Sequence, residues 1–112
     1  MSRRSERVAS LLKELISEII MYELNDPIFK NFISLTYIDI GPDLKKATIY
    51  FRVFERDPRE VEMALNKSKG YIKKLLAQRI NLKFLPDIEF KIDNTEEEER
   101  RLIELFEKIK KA

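Results

Sequence analysis

"DPREVEMALNKSKGYIKKLLAQR", Asp57 to Arg79, is the stretch on which the fold turns. Asp57 is a helix-capping residue, Pro58 suits the first helical position, and Glu60 stands where a capping box needs its acid. Val61, Ala64 and Leu65 then form an apolar face at helical spacing. Ser68-Lys69-Gly70 interrupts that face, and Tyr71, Ile72, Leu75, Leu76 and Ile80 resume it. The pattern predicts two helices joined at a kink, with Gly70 at or beside it.

The same region is unusual in charge. Asn66 to Pro86 holds six basic residues and no acid, whereas acids and bases are mixed almost everywhere else. With Ile72, Leu75, Leu76 and Ile80 facing a core, Lys73, Lys74, Gln78 and Asn81 face water, next to Lys67 and Lys69 at the kink. A helix start presents unpaired N–H groups and a favourable dipole to an anion. Lysines beside it neutralise phosphates, and a glycine lets another backbone approach closely. The segment therefore reads as a device for gripping a phosphate backbone. An ordinary solvated helix face broken by a glycine fits the composition equally well.

Working outward, Val8, Leu11, Leu12, Leu15, Ile16, Ile19 and Ile20 repeat every three or four residues. They predict an amphipathic helix over Ser5–Leu24, capped by Ser2 or Ser5 and ended by Asn25-Asp26-Pro27. Ile28, Phe29 and Phe32 follow in a connection and are expected to plug one end of the core. Ser34–Ile40 and Lys46–Phe54 alternate and are rich in β-branched and aromatic residues, so they predict a hairpin across the turn at Gly41-Pro42. Asp87–Asp93 predicts a third strand, with Ile88, Phe90 and Ile92 on one side. Asn94-Thr95 opens a last helix, with Thr95 and Glu98 as a second capping box and Leu102, Ile103, Phe106 and Ile109 as its stripe. The fold class expected is α+β, one domain over residues 1–112, with a three-stranded sheet, helices on one face and the other face open.

Bulk composition sets limits on function. The chain has 112 residues, a domain's worth, with 44% apolar residues and a net charge of only +2. Any polyanion affinity must then come from charge placement. Cys and His are both absent, which removes disulfides, thiolate or imidazole metal sites and histidine general bases. No apolar run is long enough to span a bilayer and no signal core stands at the N-terminus, so a cytoplasmic protein without a membrane role is expected.

Other constellations are weaker. Arg3, Arg4 and Arg7 form a second basic patch, read either as a fraying arm that touches phosphates or as a solubilising helix end. The open sheet face mixes Tyr37, Tyr50 and Arg52 with Asp39, Glu89 and Asp93, and is expected to be solvated and laced by cross-strand pairs. A flat face is a poor place for a carboxylate site, and no Gly-x-x-x-x-Gly-Lys phosphate loop occurs.

Helix, hairpin, two helices joined at a kink and a strand is the order of the type II KH fold, whose members grip nucleic-acid backbone through a Gly-x-x-Gly turn. That turn is missing here; Ser68-Lys69-Gly70 stands instead. The chain resembles the ribosome-binding factor A family of bacterial small-subunit assembly factors, in which an Ala-x-Gly kink replaces the KH turn. "RRSERVASLLKELISEII" resembles the family's opening helix, and "ELNDP" (Glu23–Pro27) its Glu-Leu-x-Asp-Pro turn. "DLKKATIYFRVF" (Asp43–Phe54) resembles its strand entry, and "LPDIEFKIDNTEEEERRLIELF" its Pro-x-Leu-x-Phe-x-x-Asp-x-Ser ending. The likeness runs from Arg3 to Ile109. Ser68 replaces the family's alanine, small enough for a kink and able to cap the next helix. Thr95 replaces a serine, and Glu98 and Glu99 fall where a glycine is common.

The resemblance implies a monomeric, non-catalytic RNA-binding protein without cofactor, metal or small-molecule substrate. It implies binding to the 30S subunit and 16S ribosomal RNA, help with late maturation and 5′-end processing, and a link to cold adaptation. Lys67, Lys69, Lys73 and Lys74 would then face RNA, Ser68 and Gly70 would shape the backbone, Arg79 and Lys83 would extend the patch, and Arg3, Arg4 and Arg7 would make a second contact. The rival classes are a generic KH-like module for single-stranded RNA and a protein-interaction domain that uses the open sheet face.

Overall fold

A computed structural model describes residues 3–81 and 85–111. The elements are α1 (Arg3–Tyr22), a short 3-10 turn (Pro27–Lys30), β1 (Ile33–Ile40), β2 (Lys46–Val53), α2 (Pro58–Lys67), α3 (Lys69–Arg79), β3 (Asp87–Ile92) and α4 (Thr95–Lys111). The α+β class and the element order expected from the sequence are both present.

The sheet has the order β1-β2-β3, with β1 antiparallel to β2 and β2 parallel to β3. One face carries Leu35, Ile38, Ile40, Ala47, Ile49, Phe51, Ile88 and Phe90, all buried. Against it pack Leu12, Ile16 and Ile19 of α1, Val61 and Leu65 of α2, and Ile72 and Leu76 of α3, each at most 1% exposed. Strand period two and helix period about 3.6 thus meet in one core. A one-residue irregularity between Leu35 and Tyr37 shifts the β1 register, so Thr36 is the extra residue and Ile38 returns to the core.

The β3 edge is not left open. Asn66 of α2 donates its side-chain amide to the Phe90 carbonyl (3.0 Å) and accepts the Phe90 N–H (2.9 Å), as a neighbouring strand would. Glu62 accepts the Ile92 N–H at 3.0 Å. Side chains of α2 therefore satisfy backbone groups that an edge strand otherwise offers to other chains. They also pin the end of α2, and so the kink, to β3.

Several local expectations are corrected. Ser5 lies fully buried within α1 rather than ahead of it, while Ser2 lies outside the described residues. Arg3 and Arg4 belong to the first turn of α1 rather than to a fraying arm. Phe29 does fill the core, but Phe32 is 69% exposed and leans on Phe54 instead, ring centroids 5.8 Å apart. Asp57 caps α2 through the Arg59 N–H, yet the Glu60 carboxylate turns away and takes the Arg56 Nε–H at 3.3 Å. At α4 the Asp93 carboxylate, not Thr95 with Glu98, does the capping: it accepts both the N–H and the hydroxyl of Thr95. Burial alone would raise Asp93, but hydrogen bonds from Thr36 and Thr95 and the Arg52 charge outweigh it and hold the carboxyl below its ordinary range.

α4 stands apart from the core. None of its residues is buried, and Leu102, Ile103, Leu105, Phe106 and Ile109 are all more than half exposed. Its tie to the body is polar, through Arg52 to Glu96 at 2.9 Å and the Asp93 cap. A chain ending at Asn94 is therefore expected to keep the thermal midpoint of the full chain to within about 3 °C, since surface changes move stability by only about 0.5 kcal/mol. A larger fall, read by circular dichroism, would place α4 in the cooperative core.

Candidate nucleic-acid interface

The kink expected from the sequence is a single-residue interruption at Ser68, whose backbone stays right-handed (φ −90°, ψ −2°). Its N–H closes α2 on the Ala64 and Leu65 carbonyls, each at 3.1 Å, and its carbonyl accepts the Ile72 N–H at 2.9 Å to open α3. The N–H groups of Lys69, Gly70 and Tyr71 precede that first bond, as at any helix start. Ser68 makes no side-chain cap, contrary to expectation, because in a right-handed conformation its hydroxyl does not reach back over the new turn.

Gly70 has no positive φ, and a Cβ built on it would meet nothing within 4 Å. Nothing inside the chain demands glycine at this position. Its value lies on the outside, where the missing side chain leaves backbone open to a close neighbour.

The acid-free segment is not acid-free in space. Lys73 Nζ lies 2.7 Å from Asp87 Oδ1, and Arg79 Nη2 lies 2.8 Å from Glu23 Oε1. The Lys73 hydrogen bond and charge, with help from Lys69, hold the Asp87 carboxyl below its ordinary range. Both pairs are largely exposed, so each adds little to stability, but each offsets a cation that the sequence presents as free. Lys67 and Lys74 are exposed and form no salt bridge among the described residues. Lys83 lies outside the described residues.

Helical geometry sorts what remains. Lys67, Tyr71, Lys74 and Gln78 follow at intervals of four, three and four through the right-handed junction, along one side of the joined helices. All four are exposed. Tyr71 does not share the apolar face as the sequence pattern predicts; at 49% exposure it belongs with the lysines. The spacing from Lys67 to Lys74 is the signal that places it there. Lys69 and Lys73 lie toward β3 and Asp87 instead.

Arg3, Arg4 and Arg7 are exposed in the first two turns of α1. The Glu23–Arg79 pair is at that helix's other end, about 30 Å along its axis for a helix of 20 residues. Arg3 and Arg7 share their surface with Glu6, Ser10, Leu11 and Glu14, so this second patch is separate and more mixed in charge.

The open sheet face is laced by pairs, as expected. Tyr37 and Tyr50, partners across β1 and β2, stack with centroids 4.3 Å apart. Burial, the Tyr50 hydroxyl and the Asp93 and Asp39 charges push the Tyr37 phenol above its ordinary value. Glu89 pairs with Lys46 at 3.4 Å and Asp93 with Arg52 at 3.5 Å, so two of the three acids there are individually countered. Among the described residues, no group of three or more Asp or Glu gathers as a metal site would require. No helix among them is long and apolar enough to cross a membrane.

Comparison with known proteins agrees with the fold. The family model of ribosome-binding factor A matches residues 4–106. The chain is 38% identical to the ribosome-binding factor A of Coxiella burnetii (strain RSA 493 / Nine Mile phase I), covering 99% of this chain and 93% of that one. It is 36% identical to that of Halothermothrix orenii, covering 96% and 89%. In structure it resembles the crystal structure of ribosome-binding factor A from Thermus thermophilus, with TM-score 0.71 and 22% identity over 78% of this chain and 92% of that one. A Thermus thermophilus homology model fitted into a cryo-EM map of a 30S complex gives TM-score 0.64 and 23% identity, over 76% and 90%.

Proposed function

The chain belongs to the ribosome-binding factor A family, and we propose on that premise that it binds the 30S ribosomal subunit during late assembly, with the α2–α3 junction against 16S ribosomal RNA. The observation that carries the RNA contact is the junction itself. There exposed Lys67, Lys69 and Lys74 stand around the bare backbone at Gly70. Backbone N–H groups and ammonium groups are the donors that position a protein on phosphate. Lys73 and Arg79 join the contact after giving up Asp87 and Glu23 to solvent, and Arg3, Arg4 and Arg7 form a separate outer contact.

The protein acts by holding a conformation of the subunit. It works as a monomer in the cytoplasm, favours 5′-end processing of the RNA by other enzymes, and performs no catalysis of its own. Residues 1–112 act as one KH-like domain, with α4 (within residues 94–112) as an appendage.

Co-sedimentation with 30S subunits, 50S subunits and 70S ribosomes across a salt series tests this. Selective pelleting with 30S that weakens as salt rises is the expected result. Equal pelleting with every particle, or none at low salt, would overturn it.

A further inference from the structure

The exposed ridge Lys67–Tyr71–Lys74–Gln78 contains one large aromatic ring, that of Tyr71. Tyr71 is 49% exposed and enters neither of the ring–ring contacts among the described residues. The same helix buries Ile72 and Leu76 completely or nearly so, which shows that Tyr71 stands clear of the core for lack of a place in it. On the ridge it is bracketed, four residues before and three after, by two lysines that form no salt bridge among the described residues, and it adjoins the bare backbone at Gly70.

Cations that track a phosphate backbone, with an aromatic ring set among them, make the arrangement that binds single-stranded nucleic acid. Phosphate contacts alone do not discriminate single strands from duplex. A ring does, because a base can leave its own stack and lie on the ring only where it is unpaired. We infer that Tyr71 is a stacking platform for an unpaired RNA base, and that the α2–α3 junction prefers single-stranded ribosomal RNA to a helix. Gln78 lies two turns further along the same ridge, where its amide can meet a base edge. The inference rests on the proposed RNA contact of the junction and adds to it the kind of RNA and the residue that selects it.

Two variants separate stacking from charge. Binding is measured by fluorescence anisotropy, over a salt series, to a labelled single-stranded RNA oligonucleotide of mixed sequence and to the blunt duplex containing it. Tyr71→Ser is expected to weaken single-strand binding by about 5- to 100-fold, and Tyr71→Phe by no more than about twofold, since the ring is what stacks. The salt slope stays unchanged in both, and duplex binding changes little. Lys67→Ala/Lys74→Ala is expected to flatten the single-strand slope by about 1.4, from roughly 0.7 per lost phosphate contact.

Unchanged single-strand binding by Tyr71→Ser would overturn the inference, as would an equal loss on duplex. Loss of 30S pelleting with intact oligonucleotide binding would also overturn it, by making Tyr71 a contact to protein. Failure of the proposed function looks different: the wild-type chain would not pellet with 30S, and the lysine pair would leave the slope unmoved. Half-exposed Tyr71 contributes little to the core, so far-UV circular dichroism of both variants should match the wild type.

Discussion

Phe51→Ala is expected to lower the unfolding free energy by about 3–5 kcal/mol, enough to leave a domain of ordinary stability marginal. Phe51 is fully buried on the central strand of the sheet, between Leu35 of β1 and Ile92 of β3 in register. Its side chain lies where all three strands meet the helical layer, so no single element can shift to fill the void. Part of the cost is lost transfer energy and part is the unfilled cavity. In urea the midpoint should fall by roughly 1–5 M, given a slope of about 1–3 kcal/mol per molar for a chain of this size. A fall confined to a few tenths of a molar would mean that the strands relax around the gap, and that the core is less tightly ordered than its burial indicates.

The second large effect concerns binding. Lys67→Glu/Lys69→Glu/Lys74→Glu is expected to weaken 30S binding by roughly 100-fold or more near physiological salt, from three lost phosphate contacts plus new repulsion. The fold should survive, because all three side chains lie at the surface and surface substitutions cost about 0.5 kcal/mol or less each. The salt dependence of binding should flatten at the same time. A matched triple reversal of Arg3, Arg4 and Arg7 is the informative comparison. If the α1 patch is only an outer contact, its reversal weakens binding less. If both triples weaken binding equally, the contact is long-range attraction to the whole particle rather than a seated junction.

The acids that face this patch affect how such results read. Asp87 follows the basic segment directly and Glu23 lies well before it, and each sits within hydrogen-bond distance of one of its cations. Charge counting along the chain therefore overstates the free positive charge of Asn66–Pro86. Lys73 and Lys74, equal neighbours in the sequence, differ in this respect: among the described residues only Lys73 has a salt bridge.

Much of the architecture was legible from local pattern. The helical repeat of α1, the alternation in the three strands, and the Asp57-Pro58 start of α2 are signals within a few residues of chain. The break at Ser68-Lys69-Gly70 was legible for the same reason, since an apolar stripe that stops and restarts leaves a mark in one window. The misreadings came where two plausible partners compete. Glu60, Thr95 and Ser68 each have a capping role open to them by type and position. Each lost it to a neighbour, to a different salt bridge, or to the backbone conformation of the turn.

Local pattern was enough for the period and polarity of each element, hence α+β and a kinked helix pair bearing a basic face. Those properties are short-range: side-chain direction repeats every two or 3.6 residues and follows from covalent geometry. Packing between elements settled which strand lies beside which, that Asn66 and Glu62 seal the β3 edge, and that Asp87 and Glu23 stand opposite Lys73 and Arg79. It also decided that Tyr71 faces water and that the α4 stripe finds no partner in this chain's core. Contacts of this kind join residues 14 to 56 positions apart. They depend on how whole elements pack, since pairing energies fall off within a few ångströms while loop closure lets distant residues meet at modest entropic cost.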